Sequence, residues 1–161
     1  MTSLTALLAA LVFLQQPINN PPEIADETPA CVRSGSRPRL CARVFDDRGV
    51  AKVRALFRAT GSKPYFATEM TFDGARYCVT LPAPLKRTGA IDYYLEAVDT
   101  DFEPTRVAAK TVAVSSGCPA PSGPSHDDPT TVSPVQPGEK LLGFEPATFS
   151  LPSSSSPAKG H

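Results

Sequence analysis

Between Leu40 and Val114 an apolar period of two recurs in segment after segment, a period that strands satisfy and helices do not. Leu40, Ala42 and Val44 alternate with Cys41 and Arg43. Ala51, Val53, Ala55 and Phe57 alternate with Lys52, Arg54, Leu56 and Arg58, and Ile91, Tyr93, Leu95 and Ala97 with Asp92, Tyr94 and Glu96. Each segment therefore has one face for a core and one for solvent. The run from Met70 to Tyr77 is read as a hairpin whose two-residue turn is Asp73-Gly74. That register sets Phe72 opposite Ala75 and Met70 opposite Tyr77, both pairs inward. Continued, it sends Val79 and Leu81 inward and Cys78 outward until Pro82 and Pro84 end the strand. Residues 107–114 supply the last strand.

Turn residues at Asp47-Arg-Gly49, Gly61-Ser-Lys-Pro64, Asp73-Gly74 and Lys86-Arg-Thr-Gly89 cut the segment into six or seven short strands. Such spacing indicates a small all-β antiparallel sandwich. The series Phe45-Asp-Asp-Arg-Gly-Val-Ala-Lys-Val-Arg54, Phe57-Arg58 and Ile91-Asp-Tyr-Tyr-Leu-Glu-Ala-Val-Asp99, with a closing strand before Cys118, resembles bacterial immunoglobulin-like modules. The resemblance covers about half the chain. It implies a sandwich related in architecture to fibronectin type III and cadherin domains, of the kind that decorates exported and envelope proteins. The chain departs from antibody domains in lacking tryptophan and in the placement of its cysteines, so immune-type recognition is not implied.

The ends read differently. Leu4 to Leu14 is an apolar run too short for a bilayer span of roughly twenty residues, and it fits the core of a secretory signal. No Lys or Arg precedes it and no small-x-small cleavage site follows. Residues 1–16 are thus read as a signal peptide and 17–30 as an acidic, Pro-rich linker. Residues 31–118 are read as the sandwich, and 119–161 as a disordered Pro/Ser-rich tail. Formal charge is zero overall, yet residues 31–118 hold 14 basic against 9 acidic side chains while both ends are acidic. Nine of the eighteen prolines follow Cys118. Leu141-Leu-Gly-Phe144 and Phe149-Ser-Leu151 are the tail's apolar islands, read as a linker apolar by accident rather than as docking segments.

Cysteines stand at 31, 41, 78 and 118. An even count in an exported chain indicates two disulfides, and zinc is disfavoured because no Cys-x-x-Cys occurs and both histidines fall in the tail. By strand parity Cys41 and Cys78 both point outward, and in the strand order the resemblance implies their strands are neighbours. Cys41–Cys78 is then one bridge and Cys31–Cys118, closing nearly the whole domain, the other. The rival is a local Cys31–Cys41 clasp around Ser34-Gly35-Ser36.

Catalysis is disfavoured, since acid–base or nucleophilic chemistry needs a base near neutrality on a rigid scaffold and the predicted domain has no histidine. No dinucleotide or phosphate-loop motif occurs. Two sites remain. In an immunoglobulin-like order the loops at Asp46-Asp47 and at Asp99, Asp101 and Glu103 share one end of the sandwich and could offer calcium its hard oxygen ligands, against the common use of Asp as a turn residue. Lys52, Arg54 and Arg58 form a basic outer stripe that could hold an acidic glycan, against cross-strand pairing with Asp92 and Glu96. Aromatic residues are too sparse for a nucleic-acid platform. The function read first is a non-enzymatic interaction or scaffolding module of the cell envelope, periplasmic, extracellular or on the cell surface, with an envelope protein or glycan as partner. The alternative is a module binding calcium or an acidic glycan, and no other cofactor is implied.

Overall fold

The computed structural model describes residues 19–121 and 128–152; the region read as a signal peptide and the remainder of the tail lie outside the described residues. In chain order the strands are β1 (Glu23–Asp26), β2 (Cys31–Arg33), β3 (Arg39–Phe45), β4 (Val50–Ala59), β5 (Phe66–Glu69), β6 (Thr71–Phe72) and β7 (Tyr77–Thr80). They continue as β8 (Ala90–Asp99), β9 (Pro104–Arg106), β10 (Lys110–Ser115), β11 (Thr130–Thr131), β12 (Ser133–Pro134) and β13 (Phe149–Ser150). One sheet has the order β1-β3-β7-β6 and the other β12-β5-β4-β8-β10-β2, with β9 also on β8. This is an immunoglobulin-like or fibronectin type III-like sandwich. More segments occur than expected because β1, β2 and β9 add to the strands read from the sequence and the tail adds its own.

Strand parity builds the core. Leu40 and Ala42 face Val53, Ala55 and Phe57 and the series Ile91, Tyr93, Leu95 and Ala97 in one apolar cluster. Burying a side chain of Leu, Ile or Phe contributes about 1.5–3 kcal/mol each, which offsets the entropy of ordering the strands. Asp26, at the end of β1, ties the sheets together: its carboxylate accepts from Tyr93 Oη at 2.8 Å and Lys110 Nζ at 2.7 Å.

Several expectations are corrected. The sandwich begins before Cys31, because Glu23–Asp26 pairs antiparallel with β3 and Ile24 packs on the core, so the linker reading fails there. The β4/β8 register shifts between Val50 and Lys52, and Ala51 is exposed rather than inward. The hairpin turn centres on Gly74-Ala75. Asp73 flanks it, its amide donating to Arg76 O at 2.9 Å and its Oδ1 accepting from the Ala75 and Arg76 amides. Phe72 consequently pairs with Tyr77 at the sheet edge and is exposed. Met70 is buried but belongs to the crossing between sheets, its amide bound to Val53 O.

The largest correction concerns the tail. Residues 128–152 are a strap, folded along the sandwich. β12 pairs with β5, β11 with β13, and Val132 and Phe144 are buried in the core cluster. Phe144 meets Phe57 edge-on at 5.3 Å between centroids, and Gly143 O accepts from the Leu85 amide. The physical reason is that β5 would otherwise be a bare edge beside an unfilled space in the core.

Candidate functional site

Both expected disulfides are formed, Cys31–Cys118 and Cys41–Cys78. Cys41 and Cys78 are register partners on β3 and β7, on the face turned from the apolar cluster, and both are buried. Cys31 reaches Cys118 because β2 runs parallel to β10. The Cys31–Cys41 alternative is excluded.

The two acidic loops do meet. The Thr100 amide donates to Gly49 O and Thr100 Oγ1 to Arg48 O. Their carboxylates, however, bind the chain itself. Asp46 Oδ1 accepts from the Arg48 and Gly49 amides, both at 2.7 Å. Asp99, 0 % exposed, accepts from the Asp101 and Glu103 amides at 2.9 and 2.7 Å and from Asn19 Nδ2 at 2.6 Å. Burial works to raise the Asp99 pKa, but these donors hold it below the ordinary value. Asp101 pairs with Arg48, and Asp47 and Glu103 are exposed. Among the described residues no three His, Cys, Asp or Glu stand in a metal-binding group.

The outer basic stripe is paired across strands. Arg58 Nε lies 3.1 Å from Asp92 Oδ2, Arg54 Nε 3.1 Å from Glu96 Oε1 and Lys52 Nζ 3.2 Å from Glu69. Arg106 completes the Glu96 site at 2.6 Å. Tyr65 and Tyr94, in edge contact at 5.1 Å, lie under Arg58 and Arg106. Burial opposes ionisation of Asp92 and Glu96, yet the hydroxyls of Thr60 and Thr111 at Asp92 and the guanidinium groups at Glu96 hold both pKa values down. The stripe is a charge and ring ladder that includes Tyr65, Tyr94 and Arg106, which sequence reasoning had not joined to it.

A concavity adjoins the stripe at Lys52 and Arg54, where the chain crosses between sheets. β5, β6 and β7 form its floor and the strap one wall, around about 690 Å³. Arg37, Arg39, Lys52 and Arg54 line it with the hydroxyls of Thr68, Thr71, Thr80, Thr130, Thr131 and Ser133, and exposed Phe72 stands at its margin. The strap is fixed by Arg37 Nη2 donating to Thr130 Oγ1, Thr130 Oγ1 to Thr80 O and Thr68 Oγ1 to Thr131 O. Arg39 donates to Asp73 at 3.3 Å through one of its nitrogens. Sequence reasoning missed this groove because one wall comes from the segment read as disordered. A sequence signal existed in the hydroxyl run Thr130-Thr131 with Ser133, facing the basic residues of β3 and β4.

No protein-family model matches the chain, and no curated protein does. Among solved structures it is similar to an engineered protein, at 16 % identity and a TM-score of 0.45, over 58 % of this chain and 20 % of that one. It is also similar to fibronectin(III)-like modules of Clostridium thermocellum CbhA, at 18 % identity and a TM-score of 0.42, over 58 % of this chain and 97 % of that one. The SrpA adhesin of Streptococcus sanguinis is similar at 14 % identity and a TM-score of 0.43, over 60 % of this chain and 59 % of that one. The chain thus spans a fifth of the engineered protein and under two thirds of the adhesin.

Proposed function

We propose that this chain is an exported, non-enzymatic binding module of the cell envelope whose strap-walled groove takes a segment of acidic glycan. The observation that carries the reading is the groove's lining: four cations from two sheets against three carboxylates, Glu69, Asp73 and Asp128, facing a row of hydroxyls, with an aromatic ring at the margin. Carboxylate or sulfate groups suit the unused donors of Arg39 and the Lys52 ammonium, sugar hydroxyls suit Thr71, Thr131 and Ser133, and a pyranose face suits Phe72. Ion pairs with Asp73 and Glu69 already temper the cations, so affinity would come from many polar contacts and would weaken with salt. Export is supported by two disulfides that persist in oxidising compartments and by the N-terminal apolar run.

The test is calorimetric titration with a sulfated, uronic-acid-containing oligosaccharide and with a neutral one of equal length. Saturable, salt-sensitive binding of the acidic oligosaccharide alone is expected, weakened about tenfold or more, equivalent to about 1.4 kcal/mol, in Arg39→Ala/Lys52→Ala. No binding, or equal binding by the variant and the parent, would overturn the reading.

A further inference from the structure

We infer that the two ends of the sandwich are complementary and that copies of this chain associate head to tail. The inference does not depend on the groove. At one end the 45–49 and 99–103 loops present Phe45 and Phe102, 60 % and 83 % exposed. Phe102 has φ 68°, making it the one non-glycine residue with positive φ among the described residues. A bulky side chain avoids that conformation, and here the buried Asp99 carboxylate imposes it by binding the amides on either side, at 101 and 103. The loop is built to hold an aromatic ring out in solvent. The same two loops carry the exposed acids Asp47, Asp101 and Glu103, and their cation among the described residues is Arg48, paired with Asp101.

This chemistry selects the partner. An anionic lipid surface would repel the acidic rim. A basic surface with an apolar centre would fit it, and the opposite end of the same molecule is such a surface. β4 runs ten residues from Val50 to Ala59, placing that end about 30 Å away. There Thr60 bonds Ala90, and Gly143 O accepts from Leu85 N and Thr88 Oγ1, which gathers the 60–64, 85–89 and 140–143 segments. Lys63, Lys86, Arg87 and Lys140 are exposed on them, and none pairs with a carboxylate among the described residues. The nearby acids Glu139 and Glu145 are half-buried. Leu142, 59 % exposed, is the apolar centre. Joining unlike ends gives a heterologous contact that repeats along the sandwich axis. The end of so small a domain buries little area, which sets a weak association that electrostatics orients.

Sedimentation equilibrium of the purified chain up to about 500 μM tests this, a range suited to weak interfaces. Reversible association is expected, reduced at least about tenfold in high salt or by Phe102→Ser. Two further variants decide the geometry: one carries Asp47→Lys, Asp101→Lys and Glu103→Lys, the other Lys63→Glu, Lys86→Glu and Arg87→Glu. Each alone should be monomeric. Mixed, they should associate again in strict alternation, since the native basic end of one meets the native acidic end of the other and the two reversed ends are likewise opposite in charge. A monomeric parent chain, association indifferent to salt and Phe102, or a mixture that stays monomeric would each overturn the inference.

Discussion

At the scale of single residues, the positions that matter most are those where backbone and side chain approach closely. Gly143 is the clearest. Its φ is 85°, and a Cβ there would lie 2.5 Å from Ala59 Cβ and 3.2 Å from Thr88 Oγ1. The first contact is with a rigid strand rather than a flexible chain end, so it cannot yield cheaply. Gly143→Ala should cost about 1–3 kcal/mol, combining overpacking with a left-handed backbone. Denaturant unfolding checks this, and a change under about 0.5 kcal/mol, the size of an ordinary surface substitution, would mean the strap is not seated as described. Nothing in the sequence marked Gly143, because its partners are 84 and 55 residues away. Asp99 is a similar case: acid in a turn was legible, its complete burial was not, since that depends on Asn19 closing over it.

At the scale of elements, alternation made β3, β4 and β8 legible, because in a two-layer sandwich each strand's parity must match the core. The same parity put Cys41 and Cys78 on one face, as found. It failed where an element is not periodic. The bulge at Val50–Lys52 and the turn that moves Phe72 to the edge are one-residue effects that pattern alone cannot locate. The strap escaped for a related reason: it is held by single anchors, Val132 and Phe144, and by backbone pairing, with no repeat to announce it. Phe144 is 2 % exposed. Phe144→Ala should therefore lower stability by about 3–5 kcal/mol, as for a large core side chain. Limited proteolysis separates docking from global loss. The parent chain should yield a protected fragment extending to Leu151, and the variant one ending near Cys118. Equal trimming of both would show that Phe144 does not anchor the strap.

For the whole molecule, the carboxylates and the disulfides act on opposite sides of the folding equilibrium. Asp26, Asp92, Glu96 and Asp99 all have pKa values held below the ordinary ones, through the hydrogen-bond and cation partners that outweigh their burial. A depressed carboxylate contributes stability that is complete above its unfolded value, near 3.8 for Asp and 4.5 for Glu, and is lost as pH falls through the lower folded value. Stability should thus fall below about pH 4.5 as these groups bind protons. Tyr93 works in the other direction: burial, and then the Asp26 carboxylate it bonds, raise it to about 12, so its contribution is present below pH 10 and lost as pH climbs toward 12. The bridges limit the unfolded chain instead. With separations of 87 and 37 residues they are worth up to about 4.6 and 3.9 kcal/mol on the chain-entropy model, comparable with the full stability of a small domain. That margin carries no protons, so it shifts where the acid transition falls without changing its cause. Circular dichroism followed down in pH, with and without a phosphine reductant, should show the reduced chain unfolding at the higher pH and the oxidised chain holding below pH 3, where Asp and Glu in an unfolded chain are already largely protonated. Coincident acid midpoints would mean the bridges contribute little to this fold.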